Sequence, residues 1–193
     1  MGIRDRMQER RHERREERSG EEEEDEGPKT YAMREKLLLD IGDDFNINRM
    51  HCRRGCGEAA FIANNKVMRL RETFNLQTSD RETLYQIQER KMRARDAMAI
   101  EDAYGQKVAE IKKKVVGLVR DNFVVKVRGD TNWVIHGSIL EHDFTILEDG
   151  REIVTVHKNW IAPVCDCYFI DISEGVDEGL ALCVCIALES MTD

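Results

Sequence analysis

Six cysteines stand in three close pairs: Cys52/Cys56, Cys165/Cys167 and Cys183/Cys185. Cys52-x3-Cys56, with His51 beside it, is the one cluster with metal-like spacing. Structural zinc needs a second Cys or His pair to complete four ligands. None stands nearby, so no metal is expected, and the segment reads as an exposed loop with reactive thiols. Cys165 and Cys167 are two apart, which on a strand places both on one face, and packing is the expected role. Cys183 and Cys185 lie in the most apolar stretch, where a thiol behaves as a small hydrophobe. The first twenty residues are rich in Arg and Glu and do not resemble a secretory signal. Reduced cysteines and a cytoplasmic setting, at most peripheral to a membrane, are therefore expected.

The other residues able to do chemistry are the histidines and the bases. His51, His136, His142 and His157 show no spacing to a Ser or Cys nucleophile that suggests a triad. The sequence has neither a P-loop nor a Rossmann glycine fingerprint. No catalytic residue and no cofactor can be named, and the chain is expected not to be an enzyme.

Charge placement carries more. The 193 residues have a net charge of -8, yet residues 90–128 hold eleven Lys/Arg against five acids. Lys91, Arg93 and Arg95 alternate with Met92 and Ala94, which on one strand gives a single basic face. Lys112-Lys113-Lys114 follows a strand on the neighbouring hairpin, and Arg69 and Arg71 show the same alternation one unit earlier. These eight residues are the candidate ligand-binding set, because clustered bases attract phosphate head groups. The alternative is ordinary solubilising charge on an exterior face. Nucleic acid is disfavoured by the net charge and by the scarcity of aromatics, only Tyr104 and Phe123, within the basic segment.

The elements that must position these residues follow from a repeat. Gly42–Ile47, Arg71–Leu76, Arg95–Ile100, Arg120–Val125 and Glu141–Ile146 share an acid or polar residue, a large apolar one, a spacer and an aliphatic. Cys165–Ile170 looks like a sixth. Period two means strand. Each of the first five then meets turn residues and a second alternating run. Asp149-Gly150 is the strongest hairpin signal, and Gly129-Asp130 marks another turn. Five hairpins, a strand at Tyr31–Leu38 and one at Cys165–Asp171 make twelve strands. A long antiparallel meander leaves two exposed edges unless it closes, so a closed barrel is expected.

Two segments stand apart from the repeat. Residues 1–29 read as a tail before a domain over 30–193. Met1–Arg18 interleaves seven Arg with five acids, and Glu21–Glu26 is an unbroken acidic run. The first part suits a polar helix through i,i+4 pairs, and the acidic run self-repels. The tail is solvated or serves as an arm for a protein partner. Gly179–Leu188 has no polar residue and is bounded by Asp177-Glu178 and Glu189. Acids before it suit a helix N-terminus. Twelve strands enclose a bore that needs filling, and a helix apolar on all sides fills it. A helix over Asp177–Met191 along the barrel axis is expected. Ten apolar residues are too few for a transmembrane span.

Tyr31-Ala32-Met33-Arg34-Glu35-Lys36-Leu37 with Gly42-Asp43-Asp44-Phe45 resembles the opening of the LURP-one-related family. Lys66–Phe74 resembles its next signature, and Tyr168–Asp171 followed by Gly179–Leu188 resembles its ending. The resemblance covers about residues 30–191. It implies a tubby-like fold, shared with phospholipid scramblases and tubby proteins: a mainly β protein with one central helix, in which a twelve-stranded closed antiparallel barrel surrounds a buried C-terminal helix. His51–Gly57 departs from the family's tight acidic-Gly turn and is expected to lengthen the first hairpin loop. Tubby proteins bind phosphoinositides through a basic face, so the resemblance makes anionic phospholipid head groups a candidate ligand. A protein-interaction or scaffold domain and a scramblase-like membrane protein are the alternatives.

Overall fold

The computed structural model describes residues 27–36, 44–52, 56–65, 73–92, 95–116, 120–158 and 167–192. The strands are β1 Lys29–Lys36, β2 Asp44–Cys52, β3 Cys56–Asn65, β4 Thr73–Thr78, β5 Thr83–Met92 and β6 Arg95–Asp102. They continue with β7 Lys107–Val116, β8 Arg120–Val127, β9 Asn132–Ser138, β10 Asp143–Glu148, β11 Arg151–Lys158 and β12 Cys167–Ile172. One helix follows, α1 Glu178–Ser190. Each strand pairs antiparallel with its neighbours in sequence, and β12 closes on β1 from Lys29↔Ile172 to Arg34↔Cys167. The expected twelve-stranded closed barrel with a central C-terminal helix is what the chain forms.

The sequence repeat is the inner wall. Its large apolar residue and its aliphatic are Phe45/Ile47, Phe74/Leu76, Met98/Ile100, Phe123/Val125, Phe144/Ile146 and Tyr168/Ile170, and all twelve are buried. Alternation turns both members of each pair inward. They meet α1, whose residues Gly179 through Leu188 are all buried. Lining and filler thus form one hydrophobic cluster. At roughly 1.5–3 kcal/mol for each large aliphatic fully removed from water, the filler alone supplies much of the driving force for closure.

Turn chemistry sets the hairpins. Asp149 and Gly150 both take positive φ, 49° and 81°, between the paired residues Glu148 and Arg151. That is the two-residue turn whose twist suits antiparallel strands. At Gly179, space is decisive: a Cβ there would lie 2.7 Å from the Tyr85 ring, so only glycine lets β5 approach the first turn of α1.

One expectation is corrected. Lys91 and Arg95 do not share a strand, and Arg93 lies outside the described residues. β5 ends at Met92, β6 begins at Arg95, and Met92 pairs with Arg95. A hairpin closes where alternation had suggested a continuous face. In the first hairpin β2 and β3 run on until Cys52 pairs with Cys56, with irregularities at Ile47/Asn48 and Met50/Cys52. The connection between them, residues 53–55, where the longer loop is expected, lies outside the described residues.

Candidate functional site

An up-and-down barrel sorts its connections by parity. The turns at 79–82, 103–106, 128–131 and 149–150, and the lead-in to α1 at 173–177, lie at one end, called here the near end. The far end holds the 139–142 turn and the ends of β5 and β7, and α1 finishes there.

The sequence candidates divide as follows. Arg69, Arg71 and Arg93 lie outside the described residues. The backbone of Lys91, Arg95 and Lys114 is described, at the far ends of β5, β6 and β7. Lys112 and Lys113 point to opposite faces of β7. Lys112 is on the outer wall, with Nζ 2.9 Å from Glu110 Oε2; Lys107 is 3.8 Å from the same oxygen. Glu110 is a buried carboxylate held between two ammonium groups. Lys113 follows Ala109 and Ile111 on the inner face, with Nζ 5.9 Å from the centre of the Phe123 ring. The lysine run is therefore not one face.

Sequence reasoning missed the groups that seat the helix. At its N-terminal end, Asp177 caps α1 by accepting from Leu180 N at 2.8 Å and receives the Tyr85 hydroxyl at 2.6 Å. Glu178 receives the Tyr31 hydroxyl and Lys29 Nζ. At the C-terminal end, the Tyr168 hydroxyl donates to Glu189, and the His142 ring stacks on Tyr168 with centroids 4.7 Å apart and planes 7° apart. Three of the four tyrosines thus bind carboxylates on or beside the helix. The acids bounding the apolar run were the only signal in the sequence; their partners lie up to 149 residues away. The fourth, Tyr104, is 90% exposed at the tip of a near-end turn.

Burial raises the Tyr31 hydroxyl pKa, and its hydrogen bond to Glu178 and that residue's charge raise it further, against a smaller opposing effect of Arg49. Tyr85 is raised in the same way, by burial first and then by Asp177. Burial raises both helix thiols, with Asp177 and Cys185 adding to it at Cys183, and Glu189 at Cys185. Cys183 and Cys185 are free, buried and unfit as nucleophiles, since the thiolate is the reactive form. Cys165 lies outside the described residues, and of Cys52, Cys56 and Cys167 only the backbone is described. Among the described residues no group of three or more His, Cys, Asp or Glu is placed to hold a metal, and no helix is long and apolar enough to cross a membrane.

A closed antiparallel barrel threaded by its own C-terminal helix, with charged groups at both mouths, defines a barrel domain of binding type. The chain belongs to the LURP-one-related family, whose model matches residues 29–189. Among solved structures it is similar to an X-ray structure of a protein from Arabidopsis thaliana, with a TM-score of 0.63 and 12% identity over 86% of this chain and 93% of that one. At that identity the likeness speaks for the fold alone. Comparison with curated proteins returns no match.

Proposed function

We propose that this protein is a non-enzymatic binding module whose far barrel end recognises anionic phospholipid head groups. The observation that carries the reading is convergence. Lys91, Arg95 and Lys112–Lys114 lie on three successive strands, and antiparallel pairing draws them to one end. The connection containing Arg69 and Arg71 leaves from Asn65 and returns at Thr73 at that same end. The engaged state of Lys112 and the inward course of Lys113 favour a rim spread over several strands over a triple-lysine face. The near-end turns support the same orientation. They carry Asp80, Glu82, Asp130, Asp149, Glu174 and Asp177 against Arg81 and Arg128, with Arg53 and Arg54 in the connection from Cys52 to Cys56, and an anionic surface repels that acidic excess.

A protein-interaction role is the second reading. Tyr104, an aromatic left 90% exposed on a short turn, favours it. A scramblase-like role fits less well, because inserting α1 into a bilayer strips the barrel of its filler, and ten apolar residues fall short of the roughly 20 a span needs.

The test is flotation of the full chain with liposomes of graded anionic content, at low and physiological salt. Wild type is compared with the triple variant Lys112→Gln/Lys113→Gln/Lys114→Gln, with Lys91→Gln/Arg95→Gln, and with a variant lacking residues 1–26. Salt-sensitive binding that needs the far-end bases and not the tail supports the reading. Absence of binding at low salt overturns it and leaves the protein-interaction reading.

A further inference from the structure

We propose that His142 makes the hold on the C-terminal end of α1 proton-dependent, tightening it when the imidazole is charged. Glu189 stands in the last turn of the helix, where the final carbonyls already concentrate negative charge and no basic residue of the helix offsets it. Its side chain is only 13% exposed. The helix does not favour a carboxylate there, so the barrel must hold it. Tyr168 of β12 donates to Glu189 Oε2, and His142 Nδ1 lies 3.7 Å from the same oxygen.

The imidazole is pre-positioned. His142 N donates to Ile139 O at 2.9 Å, closing the β9–β10 turn, and His142 sits at φ 50°, a left-handed conformation that His adopts more readily than most residues. Its ring lies flat on Tyr168. At 3.7 Å a neutral ring forms no hydrogen bond with the carboxylate. A protonated ring directs a charged donor at it, and the phenol face beneath favours the cation. Glu189 of α1 and Tyr168 of β12 reach the ring, and Glu141 and Asp143 flank it in the chain. Each of these either favours the imidazolium or is neutral toward it. Partial burial, with 24% of the side chain exposed, opposes the charge, and the carboxylate at 3.7 Å favours it.

The sign follows. Charge favoured in the folded state means stability that is present in acid and lost as pH rises past the ordinary histidine range, about 6.5 in an unfolded chain. The inference does not depend on the lipid reading.

The experiment is denaturant unfolding of the full chain at pH 5.5 and pH 8.0 for wild type, His142→Gln, Glu189→Gln and the double variant. His157 forms a second imidazole–carboxylate pair, 3.6 Å from Asp171, so differences between variants carry the information rather than the wild-type curve. His142→Gln is expected to lower the folding equilibrium constant about five- to tenfold at pH 5.5 and less than about twofold at pH 8.0. Coupling between positions 142 and 189 is expected at pH 5.5 and not at pH 8.0. Parallel pH profiles for wild type and His142→Gln, or coupling equal at the two pH values, overturn the proposal. Should the variants not fold, amide exchange of residues 186–192 in wild type decides: protection beyond the intrinsic pH effect must be greater at pH 5.5, and equal protection overturns the proposal.

Discussion

At its N-terminal end α1 meets the barrel through two acids, Asp177 and Glu178, and at its C-terminal end through one, Glu189. The N-terminal acids lie where the helix favours negative charge, and Lys29, Tyr31 and Tyr85 reach them from β1 and β5. Cap, dipole and side-chain donors all point the same way. Glu189 lies where the helix disfavours negative charge, and Tyr168 and His142 reach it from β12 and the β9–β10 turn. The same carboxylate chemistry is thus a fixed anchor at one end and a conditional one at the other. Orientation relative to the helix decides which, not the number of hydrogen bonds.

That contrast can be tested by stability measurements of decreasing effect. The middle of the helix, common to both ends, comes first: Leu182→Ala removes a fully buried side chain and is expected to cost about 2–5 kcal/mol by denaturant unfolding. Next is the N-terminal end, where Glu178→Ala leaves the Tyr31 hydroxyl and Lys29 without their acceptor and is expected to cost about 1–3 kcal/mol. A smaller loss there would erase the distinction between the ends.

The alkaline limb is the third test. Tyr31 and Tyr85 are raised from their ordinary value of 10.0, so the folded state retains their protons longer than the unfolded chain. Their stabilisation is complete below that value and falls as pH rises beyond it. Unfolding midpoints followed from pH 9 to 11 should decline, and the decline should be shallower in Tyr31→Phe. Glu189→Gln comes last: removing a charge from the unfavourable pole is expected to change stability by less than about 1 kcal/mol at pH 8.0. A loss there as large as that of Glu178→Ala would mean the two anchors are equivalent.

Much of the barrel was legible because its repeat is written in inward-facing pairs. Phe45/Ile47 and its five counterparts mark every even strand, and period two is a local property of the chain. Asp149-Gly150 was equally plain, since positive φ at both positions selects those residue types. Lys91–Arg95 misled because alternation continues in the letters across a hairpin that reverses the chain. Gly179 gave no hint of its role, because the ring it accommodates belongs to Tyr85, far away in sequence.

By itself, the sequence determined the number of strands, the need for closure and the helix that fills the bore. These follow from hydrophobic periodicity and from an apolar run with nowhere else to go. Only the tertiary structure decided which charges meet. Closure of β12 on β1, and threading of α1 from the near end to the far end, bring Lys29 and Tyr31 to Glu178, Tyr85 to Asp177 and His142 to Glu189. Those pairings depend on strand order and register around a closed ring, which no local stretch of sequence specifies.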